Sequence, residues 1–229
     1  MPWRATDSPQ WGQRLARIER KRRLLARLRP PRLLPRELLG RLTWSSFAME
    51  QLDVTLREAM EAIAARPSPR AFRRPQFLRI RHHAAALRGI ERAIHRGQPI
   101  KASTVVHWYT SISCGLSVAA VMDAGRLGRI DQWLRRINSP HLLPGQAIGE
   151  AAAVHAQMLG EAIVPGFNGI LCRLLLQFHL ARCGLAPVTF DPDRDRAIVH
   201  DAALLAPRLI ELVEEGYDCL LARAGEPRE

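Results

Sequence analysis

Residues 169–183 read Gly169-Ile170-Leu171-Cys172-Arg173-Leu174-Leu175-Leu176-Gln177-Phe178-His179-Leu180-Ala181-Arg182-Cys183, and at helical pitch they turn apolar side chains in nearly every direction. A helix of that kind cannot lie on a surface; it has to be the axis of a bundle sheathed by other helices. The rest of the chain supplies such a sheath. Met49, Leu52, Leu56, Met60 and Ile63 predict a helix over 46–65, closed by Arg66-Pro67-Ser68-Pro69. A second stripe, Phe77, Ile80, Ala84, Leu87, Ile90 and Ile94, stops at Gly97 with Pro99 beyond it. A third covers 102–122 through Val105, Val106, Tyr109, Ile112 and Leu116, and a fourth runs Ile148, Ala152, His155, Met158 and Leu159 to the break at Val164-Pro165-Gly166-Phe167. The central helix ends on Gly184, and two further helical stretches follow, separated by Pro207. Gly125-Arg126-Leu127-Gly128-Arg129 breaks the pattern, so 125–145 reads as a loop holding at most a short hairpin. With no strand–helix alternation and no repeat, the fold class is all-α.

The 229 residues suffice for one domain with an appendage. No uninterrupted apolar run reaches the roughly 18 residues of a membrane span, and no apolar segment follows Met1-Pro2-Trp3-Arg4 as a secretory signal requires. Cys114, Cys172, Cys183 and Cys219 form no Cys-x-x-Cys pair and read as thiols in a reducing cytoplasm. The formal charge of +12 is unevenly spread: residues 1–41 hold twelve Arg or Lys against three carboxylates, a net +9, leaving +3 for the other 188 residues. That basic arm, 1–42, carries Leu15, Ile18, Leu24, Leu25 and Leu28 at near-helical spacing. An amphipathic helix packed on the body is favoured over a free arm for nucleic acid or an acidic protein.

His155 to Pro187 carries a resemblance. Val164, Asn168, Gly169 and Arg173, followed by Ala181-Arg182-Cys183-Gly184-Leu185-Ala186-Pro187, resemble the core of Fic (Fido) proteins, whose motif is H-x-F-x-[DE]-G-N-G-R-x-x-R, often with a histidine seven residues before the catalytic one. Upstream, Thr43 to Glu58 resembles the inhibitory stretch of that family, with Ser46 and Glu50 at its [ST]-x-x-x-E-[GN] signature and Gln51 in place of the usual Gly or Asn. Residues 23–31 resemble the helix leading into it. The resemblance implies a helical bundle over 43–229, including an inhibitory-type helix 43–66 and at most a small β-hairpin flap. It also implies an ancestral activity of protein adenylylation.

The departures fall on the chemistry. The resemblance implies a histidine base, an acidic residue holding Mg²⁺ on the nucleotide phosphates, and a glycine-rich turn at a helix start that cradles them. Ala162 stands at the histidine, Gly166 at the acidic position, Phe167 at the first glycine and Ile170 at the first arginine, so no catalytic group is intact. Shifting the register to place Val164-Pro165 there supplies no histidine either. Asn168, Gly169 and Arg173 remain as phosphate-binding candidates, ATP is the implied ligand, and Mg²⁺ is not expected. Glu50 is implied to pair with Arg173 and block nucleotide binding; Asp191 and Glu161 are the alternative partners. The region 125–150 is short for a flap that would hold a target peptide.

The remaining conspicuous residues read as structural. His82, His83, His107 and His200 lack metal-site spacing, His155 reads as a core histidine, Trp108-Tyr109 as core packing, and Ser45 and Ser46 lack a nucleophile's partners. Three functions stay open: a catalytically impaired Fic-type regulator retaining nucleotide or phosphate binding, an active nucleotidyltransferase with non-standard residues, and a basic interaction module. A protein target is implied but not named by the sequence, and a homodimer stays open.

Overall fold

The structure is a computed structural model that describes residues 9–28, 34–64, 74–114, 122–139 and 143–225. Every regular element among them is a helix: α1 (Pro9–Leu28), α2 (Arg36–Met49), α3 (Leu56–Ile63), α4 (Arg74–His95), α5 (Ala102–Ile112), α6 (Ala124–Ile137), α7 (Pro144–Glu161), α8 (Asn168–Arg182), the single turn α9 (Pro192–Asp195), and α10 (Ala202–Ala224). Helix α8 is the axis. Every residue from Gly169 to Leu180 is buried, and α2, α4, α5, α6 and α7 pack around it. Its polar members are accommodated individually. Gln177 trades two hydrogen bonds with the Val188 backbone, donating to the carbonyl at 2.6 Å and accepting from the amide at 3.1 Å.

Three boundaries differ from the sequence reading. The stretch 46–65, and the inhibitory-type helix 43–66 with it, is two helices. Helix α2 stops at Met49 because Gln51 takes φ 57°, and the amides of Gln51 and Leu52 close back on Ala48 O (3.0 Å) and Phe47 O (3.2 Å), the paired bonds of a Schellman end. Helix α3 then restarts on a capping box in which Thr55 Oγ1 accepts from Glu58 N and the Glu58 carboxylate accepts from Thr55 N.

The described residues of 125–145 form no hairpin: α6 and the start of α7 occupy them. Asp123 caps α6 by accepting from Arg126 N at 2.8 Å, and Ile130, Trp133, Leu134 and Ile137 bury one face. Four such side chains, each stabilising by about 1.5–3 kcal/mol on burial, outweigh the cost of about 1 kcal/mol apiece for Gly125 and Gly128. Pro207 does not divide the tail; it lies inside α10. Helix α5 ends at Ile112, and Leu116 and the rest of 115–121 lie outside the described residues.

The basic arm contains α1, which packs along α10 and against α7. Ile18 and Leu25 are buried there, while Arg14, Arg17 and Lys21 converge on the Glu214 carboxylate of α10. No described helix is long and apolar enough to cross a membrane.

Candidate functional site

The ends of four segments meet at one opening of the bundle. Helix α7 runs out at Glu161, and Ala162 and Gly166 take positive φ (43° and 74°) to reverse the chain into α8. That turn is held from inside. Ile163 and Val164 are buried, and Phe167 lies under the Arg79 guanidinium, 5.2 Å from its ring centroid. The Asn168 side chain donates to Met158 O in the last turns of α7 at 3.0 Å and accepts from Val164 N at 3.4 Å. Its amide group therefore secures the α7–α8 connection rather than pointing free into the opening.

Arg173, one turn into α8, is 4% exposed. Its Nε donates to Ser46 Oγ at 3.1 Å, and its Nη2 donates to both Ser46 O and the Glu50 carboxylate at 2.7 Å. Glu50 is the partner; Asp191 instead caps α9, and Glu161 accepts from Gln157. Burial lowers the pKa of Arg173 from the ordinary arginine value, and the Glu50 carboxylate works against that shift. An arginine stays charged in a protein, so the buried cation requires a partner, and α2 with its C-terminal cap Glu50 supplies three oxygens.

Glu50 reaches this position because α2 ends there. Ser45 Oγ donates to Phe190 O at 2.7 Å, and Thr43 Oγ1 lies 3.2 Å from His83 Nδ1, so the small polar residues of α2 each have a buried partner. The Schellman end at Gln51 then leaves the Glu50 carboxylate over the first turn of α8. It lies so close to Gly169 that a Cβ there would collide with it. Glycine at 169 is thus required by the approach of Glu50, and an anion at the start of α8 also meets the positive end of that helix.

The opening is a cleft of about 370 Å³ between the end of α2 (Met49, Glu50, Gln51), the end of α7 (Leu159, Ala162), the start of α8 (Asn168, Gly169, Arg173) and the turn carrying Arg196, Val199 and His200. That size lies at the lower end of small-molecule sites. Comparison with solved structures gives similar chains over the whole bundle. A Fic domain containing signaling protein from Bacteroides thetaiotaomicron superposes with a TM-score of 0.76 at 14% identity, covering 94% of this chain and 100% of that one. The fold is that of a Fic domain.

A fragment of Fic-1 from C. elegans superposes with a TM-score of 0.69 at 17% identity over 93% of this chain and 70% of its own. A glutamate-to-glycine variant of that fragment gives 0.65 and 17% over 92% and 70%. No family model and no curated protein matches the sequence.

Of the positions that resemble the Fic motif, Ala162, Asn168, Gly169 and Arg173 line the cleft, and Gly166 and Ile170 are not among its walls. Ala162 lines it with a methyl group, Gly166 is exposed backbone, and Ile170 is fully buried. The residues present do not fit Mg²⁺. Glu50 is the only carboxylate on the described walls, and Arg173 holds it. His155 is fully buried, stacked on Phe190 with centroids 6.1 Å apart, and burial drives its pKa down to about 3, so it is a neutral core residue without access to the cleft. The sequence reading is silent about Arg196 and takes His200 as structural, yet both line the cleft. Helical periodicity is silent about a turn, and only the path of the chain from α9 to α10 carries them to Glu50.

Proposed function

We propose that this protein is a catalytically disabled member of the Fic fold whose cleft retains binding of a phosphorylated ligand such as ATP, with Glu50 as the gate on Arg173. The observation that carries this reading is the coincidence, in one cleft, of a held arginine and an alanine at the position where the Fic motif has its histidine. Arg173 is locked to Ser46 and Glu50 at 2.7–3.1 Å, and Ala162 presents only a methyl group to the same space. A planar guanidinium is suited to fork onto phosphate oxygens once its carboxylate partner is removed. Such a protein would act through occupancy of the cleft, as a regulator, rather than by transferring an adenylate group.

Calorimetric titration of ATP into the wild type and Glu50→Gly tests the gate. The variant is expected to bind at least about tenfold more tightly, the weight of one charge-assisted hydrogen bond. Neither protein is expected to label itself or other proteins from ATP and a divalent cation, since the loss of a base alone costs about 10²- to 10⁴-fold in rate. Equal affinities would refute the gate, and label transfer that depends on the cleft would refute the loss of catalysis.

A further inference from the structure

Arg173 is paired with a carboxylate, whereas a second guanidinium on the cleft wall has none among the described residues. Arg196 extends from just beyond α9 toward the end of α2, where its Nη2 donates to Ala48 O at 2.9 Å. Its Nε is shut off from solvent and has no acceptor among the described residues. Arg196 lines the cleft, and no carboxylate among the described residues pairs with its cation. The other arginine with an unpartnered buried Nε, Arg79, has its cation over the Phe167 ring; none of the described aromatic rings covers Arg196 in that way.

The carboxylates that would ordinarily answer Arg196 are engaged elsewhere. Asp195 accepts from Arg208 Nε at 2.8 Å and from Asp191 N at 2.8 Å. Asp201 caps α10 by accepting from Ala203 N at 2.7 Å. Glu50 is bound by Arg173. His200, exposed on the same wall four residues after Arg196, adds a ring that donates when protonated and keeps one N–H when neutral.

We infer that Arg196 and His200 form a phosphoryl-binding subsite on the α9–α10 side of the cleft, which takes a compact phosphate-bearing anion while Glu50 still holds Arg173. This rests on reading the cleft as a phosphate site, but it locates the first contact on residues outside the Fic motif. The bond from Nη2 to Ala48 O orients the guanidinium on the cleft wall without neutralising it, so its positive charge stays to meet the anion. The subsite binds with the gate closed. Opening Glu50 would add Arg173 as a second anchor across the cleft.

The experiment is calorimetric titration of inorganic pyrophosphate into the full chain, Arg196→Gln, His200→Ala and Glu50→Gly, with circular dichroism confirming the fold. The wild type is expected to bind, Arg196→Gln to weaken binding at least about tenfold, and His200→Ala to weaken it several-fold. His200 is exposed and ties no element together, so its variant keeps the test decisive if Arg196→Gln disturbs the end of α2. Wild-type binding that neither substitution alters would overturn the subsite. Binding that appears only in Glu50→Gly would overturn it too, while leaving the Arg173 gate standing. No binding in any of the four proteins would sink both.

Discussion

Replacing Gly169 with alanine tests the Glu50 contact without substituting either charged partner. The added Cβ would strike the Glu50 carboxylate and come within 3.1 Å of Arg173 Nη1, while the surrounding helix accepts alanine freely. The carboxylate lies at the end of a flexible side chain that is 27% exposed, so it is expected to swing into the cleft and not to distort α8. Breaking a fully buried ion pair costs about 3–5 kcal/mol; with Glu50 partly exposed and two Ser46 contacts left on Arg173, about 3 kcal/mol is the expected loss. Alanine in place of glycine in a helix returns about 1 kcal/mol, so Gly169→Ala should destabilise by about 2 kcal/mol. In the Glu50→Gly background nothing remains to collide with, and the same substitution should stabilise by about 1 kcal/mol. Urea denaturation of the four proteins in the cycle measures a coupling of about 3 kcal/mol. An equal cost of Gly169→Ala in both backgrounds would refute the claim that glycine is required there by Glu50.

Gln51→Gly relieves a left-handed residue at the α2 Schellman end and should raise stability by about 1 kcal/mol in urea melts, with no gain if the turn is not in that conformation. Ile18→Ala, at a position with no exposure, should cost about 2–5 kcal/mol; an unchanged melting curve would mean that α1 does not pack on α10. His83, His155 and His179 are buried with pKa values lowered to about 3, 3 and 4 by desolvation. The unfolded chain therefore takes up their protons first, and each withdraws about 1.4 kcal/mol of stability per pH unit as pH falls below about 6.5 toward those values. His155→Phe should flatten that slope in denaturation series between pH 7 and 5. Hydrogen bonding to Arg17 and the charges of Lys21 and Arg14 hold Glu214 below the ordinary carboxylate range, so its contribution is present above about pH 4.3 and lost as pH falls through the folded-state value. The stability gap between wild type and Glu214→Gln should close on acidification across that lower window.

Periodicity alone was enough to establish the all-α class and the central position of α8, because a helix apolar on every side has one stable location. Helix ends written in local chemistry were equally legible: Gly97 and Gly184 sit at positive φ where the stripes stop. The same code was present but passed over at Thr55-Leu56-Arg57-Glu58, a capping box that starts a new helix and so divides 43–66. Where local signals conflicted with burial, burial prevailed. Two glycines argued against α6, and the apolar face of Ile130, Trp133, Leu134 and Ile137 overrode them.

The site was legible in its members and not in its arrangement. Ser46, Glu50, Gly169 and Arg173 stood out by resemblance, as did Ala162, an alanine where the resemblance implies a histidine. Asn168 illustrates the limit. As a residue type it suits phosphate, but whether its amide faces a ligand or Met158 O depends on where α7 ends relative to α8. Gln51 was conspicuous only as a departure, and its φ of 57° belongs to the Schellman end that stops α2. Arg196 carried no sequence signal, and His200 stood out only as a histidine without metal-site spacing. Their role depends on contact between segments about 150 residues apart, and such contacts are settled by how the helices close around α8, which spacing along one chain cannot encode.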